Sequence, residues 1–416
     1  MPELLRLHTL AQARQALEAA LPAPRRETER VASAEALGRV LAQDLASPED
    51  LPPFPRSVMD GYAVRAEDTF GASEGLPAYL RLCGQVRMGE GAPPLPARAA
   101  MRIPTGGMLP EGADAVVMVE HSQLWNEETV EVLRPVAPGE NVVARGEDLK
   151  AGAPLLAAGH RLRPQDLGAL MALGLTEILV QARPRVAIFA TGNEIIPPEK
   201  APGPGQIRDI NSYSLAASVR RAGGEPMLHE IVPDVAEVLA SQLRAGLAKA
   251  HLLLASGGTS VGTEDLLAQV MDGLGEPGVI VHGLAIKPGK PVIIAVADGK
   301  PVFGLPGHPA SALLAFDLLV DPLLRRMAGL PPAARRRLPA RLARNLPSAP
   351  GREDFYRVKL EQRAGETWAV PILGKSSLIS TLVEADGRVQ VPLDSEGLYQ
   401  GASVEVELFP EVEADV

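Results

Sequence analysis

The stretch from Leu252 to Asp265 constrains this chain more than any other. An apolar run, Leu252-Leu253-Leu254-Ala255, ends in Ser256-Gly257-Gly258-Thr259-Ser260-Val261-Gly262, and a helix-forming segment from Asp265 to Met271 follows. This pattern reads as a buried strand, a glycine-rich turn and a helix start. Glycines in such a turn let successive backbone N–H groups converge on an anion, helped by the positive end of the helix dipole. The hydroxyls of Ser256, Thr259 and Ser260 add neutral donors. Glu264 and Asp265 close the loop, and a bare anion nest would avoid them. Anion donors and carboxylates together point to a phosphate-bearing ligand with a cation between them. The competing reading is a turn kept glycine-rich only for tight packing. No Gly-Lys-Ser/Thr follows, so this is not a Walker A loop, and the G-x-G-x-x-G spacing is absent.

A chain of 416 residues exceeds one core, and two to four domains are expected. Hydrophobic content of 46% with 22% charged residues describes a globular chain, and a net charge of −10 argues against a nucleic-acid partner. Cys83 is the single cysteine, which rules out an intrachain disulfide and a cysteine-based zinc site. No apolar run approaches the roughly 20 residues needed to cross a bilayer, so no membrane partner is expected. The first residues lack a charged leader followed by an apolar core, and a cytoplasmic location is expected.

Thr9 and Gln12 form a capping box ahead of a helix to about Leu21, and Ser33 is placed to cap a second helix through Val40. A proline-rich loop from Ser47 leads to Asp60-Gly61, which taken alone is an ordinary turn. Short strand-like runs at 80–86, 115–120 and 129–133 predict a small β module. Helix resumes over 164–173. From Arg185 strands and helices alternate, which predicts an α/β layered domain with a mainly parallel sheet and ligands at the carboxyl ends of its strands. Glu194, Asp234 and the Gly257–Asp265 loop fall on that edge. The run from Arg335 to Arg344 reads as a basic connector, and short strands from Asp354 to Leu408 predict a closing β-barrel or sandwich.

Lys287-Pro288-Gly289-Lys290-Pro291 places two of only eight lysines in one rigid loop, a phosphate-binding or pterin-side-chain candidate. Gly304-Leu305-Pro306-Gly307-His308-Pro309 is strand, loop and helix start, a second candidate anion site. Asp60, Asp148, Glu194, Asp234 and Asp265 are acids set in loops. If they meet, two like charges at about 4 Å repel by about 4 kcal/mol at an effective dielectric near 20. Such a cluster facing an anion calls for a divalent cation, with Mg²⁺ expected, or for raised pKa values.

Seven motifs in order resemble the molybdopterin molybdenumtransferases, whose eukaryotic relative is the C-terminal domain of gephyrin. They are Leu51-Pro52-Pro53-Phe54 with Met59 to Ala63, Thr105-Gly106 with Glu111 to Val117, Arg145 to Asp148, Thr191 to Glu194, Ser256 to Gly262, Lys287 to Pro291, and Gly304 to Pro309. The family usually has Asp where this chain has Asn193, and Asn where it has His308. The resemblance implies a multidomain α/β plus β fold: an elongated linking domain (1–45 and 142–183), an inserted β-rich domain (46–141), an α/β molybdopterin-binding domain (184–330) and a C-terminal β-barrel (331–416). It also implies a homodimer.

The activity implied is insertion of molybdenum from molybdate into adenylated molybdopterin with release of AMP. Asp60, Asp148, Glu194, Asp234 and Asp265 would be catalytic, and Glu194 with Asp265 would hold Mg²⁺. Thr105, Ser256, Gly257, Gly258, Thr259, Ser260, Gly262, Lys287, Lys290, Pro306 and Pro309 would bind substrate. A separate adenylyltransferase is a possible partner. A molybdopterin adenylyltransferase and a non-catalytic carrier or scaffold stay open as alternatives.

Overall fold

The computed structural model describes residues 7–23, 26–257 and 263–410, with side chains of the last stretch from residue 266 onward. The chain divides into two compact units, Arg30–Val180 and Met1–Glu29 with Gln181–Val416.

The first unit carries a six-stranded sheet in the order Ala115–Met118, Gly61–Val64, Ala99–Ile103, Ala78–Gln85, Thr129–Val132, Ser122–Asn126. Along Gly61–Val64 the two-residue period sends Tyr62 and Val64 into one apolar cluster and Ala63 into another. Asp60-Gly61 is therefore a strand entry. A Cβ at Gly61 would lie 1.9 Å from the Val117 carbonyl oxygen, so only glycine allows the two strands to approach here. Residues from both flanks of the β module, including Leu41, Leu162, Leu170 and Val180, share a small core. The helix expected from Ser33 to Val40 shrinks to the single turn Ser33–Glu35. Ser33 Oγ donates to the Leu175 carbonyl instead of capping, and Gly38 at φ +72° turns the chain away.

In the second unit the α/β sheet runs Glu225–Leu228, Arg185–Thr191, Leu252–Gly257, Lys300–Leu305, Ile293–Ala297, Pro277–His282. The first four strands are parallel and the last two pair antiparallel, so the sheet is mixed. The cause is local: Ala297 and Lys300 are joined by Asp298-Gly299 alone, both at positive φ, and a two-residue link of this kind makes a hairpin. The helix Leu10–Ala20, with its Thr9–Gln12 box in place, buries Leu10, Ala13 and Leu17 in the core shared by Val281, Leu284 and Phe316. It thus packs on the α/β sheet, whereas the sequence reading put it in the linking domain.

The long helix expected after His308 is interrupted: Pro309–Ala315, a π-turn Phe316–Val320, then Asp321–Met327. Strands Glu353–Arg363, Glu366–Pro371, Arg337–Leu342, Ser403–Leu408 and Gly387–Val391 close on themselves as a barrel. The basic run expected to be a connector is one of its strands, with Ala340 and Leu342 inward and Arg337 and Arg341 outward.

An ionic hub docks the barrel on the α/β layer. Asp317, in the π-turn, takes Arg221 at 2.9 Å, Arg388 at 3.1 Å and Arg335 at 3.4 Å. Glu407 accepts from both Arg335 and Arg388. Burial alone would push the Glu407 carboxyl up, but Arg388 and Arg335 outweigh it and hold it below the ordinary range. That contribution is complete above the unfolded value of about 4.3 and is lost as pH falls through the lower folded value. Asp317→Asn should cost about 3 kcal/mol by leaving buried guanidinium groups short of counter-charge. Hydrogen exchange checks this: strands 387–391 and 403–408 should lose protection while 99–103 keeps it.

Candidate active site

Three parallel strands end level with one another, since Thr191 pairs with Gly257 and Ser256 with Leu305. The antiparallel pair continues the edge, with Gly304 opposite Ile293 and Ile293 opposite His282. Loops 192–194, 283–292 and 306–308 and the strand end at Gly257 therefore share one rim, the position where α/β sheets hold ligands. A Cβ at Gly257 would meet the Thr191 carbonyl oxygen at 2.1 Å, which requires glycine there whatever the loop binds.

One side of the rim is acidic. Burial, then the nearby Glu194 carboxylate, push the Asp234 carboxyl up, while the Asn193 backbone N–H pulls the other way. Asn193 Oδ1 in turn accepts the Asp234 N–H at 3.3 Å. Glu194 and Asp234 thus share a field, as the sequence reading expected. Gly258, Thr259, Ser260 and Gly262 lie outside the described residues, as does the side chain of Asp265, whose backbone sits in the helix Thr263–Asp272. Among the described residues no group of three His, Cys, Asp or Glu side chains gathers as a metal site.

The other side is cationic. A cleft of about 610 Å³ between the rim and the barrel is lined by Lys287, Lys290, Arg352, Arg357 and Lys375. Its acid is Asp354, 1% exposed, which pairs with Arg352 at 2.9 Å and Lys287 at 3.9 Å. Burial lowers the Arg357 pKa, and no carboxylate among the described residues offsets it. Among the described residues its Nε is buried without a hydrogen-bond partner, and its Nη2 donates to the Gly374 carbonyl at 3.3 Å. Pro306 lines the same cleft. Pro309 is buried as the first residue of its helix, and the next N–H, of Ala310, donates to the Ser376 carbonyl. The anion site expected at that helix start is thus engaged by the barrel. His308 Nδ1 lies 2.9 Å from Ser376 Oγ.

Ser256 is 4% exposed and its hydroxyl is committed to protein partners. Asn211 Nδ2 donates to Ser256 Oγ at 2.8 Å and to the Gly307 carbonyl at 2.8 Å. The sequence reading missed Asn211, Arg352, Arg357 and Lys375. Their nearest signal was Arg352 and Arg357 flanking Asp354-Phe355, which without the barrel read as an ordinary charged strand.

Asp60, Thr105 and Asp148 belong to the other unit. The Thr105 N–H, then its hydroxyl, donate to Asp60 Oδ1 at 2.7 and 3.1 Å and hold that carboxyl below its ordinary range. Asp148 is exposed and its N–H binds the Leu51 carbonyl. Residues 51–57 run antiparallel along 142–149, so Asp148 sits at the Leu51 end and Asp60 beyond the Ser57 end. The two acids are not brought together within that unit.

Family models cover nearly the whole chain. Residues 8–174 match "MoeA N-terminal region (domain I and II)", 187–326 "Probable molybdopterin binding domain" and 339–409 "MoeA C-terminal region (domain IV)". Molybdopterin molybdenumtransferase 2 of Mycobacterium tuberculosis is 34% identical over 89% of this chain and 93% of its own. The chain belongs to the molybdopterin molybdenumtransferases. The Bacillus subtilis molybdopterin molybdenumtransferase is 32% identical over 92% of this chain and 90% of its own. The crystal structure of a molybdopterin biosynthesis MoeA protein from Pyrococcus horikoshii covers 98% of this chain and 100% of that one, at TM-score 0.83 and 40% identity. This transferase is an enzyme of molybdenum cofactor biosynthesis. No described helix is long and apolar enough to cross a membrane.

Because burial is the larger cause at Asp234, Glu194→Gln should lower the Asp234 pKa only part of the way to its ordinary value. Carboxyl NMR titration of both proteins reads this directly. An Asp234 pKa unmoved by the substitution would separate the two acids.

Proposed function

We propose that this transferase takes adenylated molybdopterin and molybdate, joins molybdenum to the dithiolene sulfurs and releases AMP. The observation that carries the reading is Arg357, a guanidinium with a buried Nε and no carboxylate partner among the described residues, in a cleft of mainly positive side chains. A buried, uncompensated cation is costly, and a tetrahedral oxyanion offers it the paired acceptors arginine favours. Molybdate has that shape and charge. Lys290 and Lys375 add point charges, while Lys287 and Arg352 are partly neutralised by Asp354. The pterin phosphates suit the glycine-rich sequence that follows Ser256.

In atoms, both dithiolene sulfurs bond to molybdenum while one molybdate oxygen is displaced and leaves as water with the two thiol protons. Water cleaves the phosphoanhydride, giving AMP and the pterin phosphate. Asp234, its pKa raised by burial and by Glu194, is suited to accept a proton from that water. Mg²⁺ fits the acid side, where carboxylates are hard oxygen donors and the Glu194 charge adds to the cost of ionising Asp234. Glu194 and Asp265 would hold the ion, which when bound would neutralise anhydride oxygens, leaving Asp234 free as the proton acceptor. We take the assembly to be a homodimer in which Asp60 and Asp148 of one subunit serve the other, with adenylated molybdopterin supplied by a separate adenylyltransferase. Relatives aligned over 89% and 92% of the chain carry the molybdenumtransferase name, which supports this reading over an adenylyltransferase or a carrier.

The test follows AMP and pterin-bound molybdenum in one mixture of protein, adenylated molybdopterin, Mg²⁺ and molybdate. Both should appear together and depend on molybdate. Arg357→Ala should raise the KM for molybdate roughly tenfold or more, leaving that for the pterin nearly unchanged. Asp265→Asn should slow AMP release. Binding without turnover would leave a carrier, and pyrophosphate made from ATP and molybdopterin would favour the adenylyltransferase.

A further inference from the structure

We infer that Asn211 is a positioning residue that sets the spacing between the two reactants, an inference that rests on the proposed function of the rim. Asn211 opens the helix Asn211–Arg221 and is 7% exposed. Both hydrogens of its Nδ2 are used, one on Ser256 Oγ and one on the Gly307 carbonyl, each at 2.8 Å. A carbonyl can only accept, so the Gly307 contact fixes which way the amide faces. Ser256 Oγ, accepting from Asn211, is left to donate toward the Pro306 carbonyl at 3.5 Å. The three groups form a chain from the end of the Leu252–Gly257 strand to the 306–308 loop. The first end precedes the sequence assigned to the pterin phosphates. The second carries Pro306 and His308, which line the cationic cleft assigned to molybdate.

Asn211 Oδ1 is buried and has no hydrogen-bond partner among the described residues. Native cores rarely keep such an acceptor, and those that do warrant a functional explanation. Here the amide is held for its two donors, because they alone span both loops. A reaction between two bound molecules is sensitive to that span: a displacement of about 1 Å can cost on the order of 100-fold in rate.

Asn211→Asp keeps the shape and removes both donors. The expected result is a kcat lowered by about 10- to 100-fold. The KM for each reactant should stay within about threefold, the split that marks loss of an interaction made only in the transition state. The melting temperature of the free protein should fall, because two buried hydrogen bonds are lost, so the KM values and not stability carry the test. Ser256→Ala removes one arm only and covers the case in which Asn211→Asp does not fold. It should lower kcat less, and the double variant should be no worse than Asn211→Asp alone, as expected of residues in one network. An unchanged kcat, or a lowered kcat with both KM values rising beyond threefold, would overturn the inference alone. Wild-type protein without molybdate-dependent AMP release would overturn the functional reading and this inference with it.

Discussion

The charge hub at Asp317 is the constraint on which the rest of the second unit depends. A π-turn adds a residue to one helical turn and re-aims the helix beyond it, and such turns recur at functional sites. Here it presents one carboxylate to Arg221 from the α/β layer and to Arg335 and Arg388 from the barrel side. Without that docking, the barrel would not bring Arg352, Arg357 and Lys375 to face the Lys287–Pro291 loop. The short pairing of Ile286–Lys287 with Glu353–Asp354 adds a second stitch between the same two bodies. The cleft is thus a product of assembly, and neither the sheet nor the barrel contains it alone.

That assembly divides the rim by charge. Glu194 and Asp234 lie near one end, and an excess of cations lies at the other. Placing both signs along one rim suits reactants of mixed demand: an oxyanion that needs cations, and an anhydride whose cleavage needs a proton acceptor. Mixing the two sets would pair them off and leave neither available. Asp354 shows this in miniature, since it takes up Arg352 and Lys287 and leaves Arg357 uncompensated.

Much of this was legible in the sequence wherever the signal was local. The capping box at Thr9, the helix over 164–173 and the buried strand from Leu252 follow from side-chain period and glycine chemistry within a few residues. The Lys287–Pro291 loop was readable because lysine is rare in this chain. The features that stayed hidden are non-local. The strand Arg337–Leu342 looks like a basic linker because its outward positions carry the arginines and its inward ones only Ala340 and Leu342. Arg357 carries no pattern of its own, and its meaning lies in the absence of a counter-charge, which no sequence displays. Asn211 likewise carries no local pattern that marks its role.

The two departures from the family pattern illustrate how chemistry is kept while charge changes. Asn193 accepts the Asp234 N–H through Oδ1, a bond an aspartate could make equally well. An aspartate there would set a third carboxylate near Glu194 and Asp234. At about 4 Å and an effective dielectric near 20, each added like charge costs about 4 kcal/mol, and it would push Asp234 further from ionisation. Asparagine keeps the acceptor without adding that charge. His308 likewise keeps a hydrogen-bonding link to the barrel through Ser376, as an asparagine amide could. Each substitution preserves the contact that holds a loop, and the first also tunes the field in which Asp234 titrates.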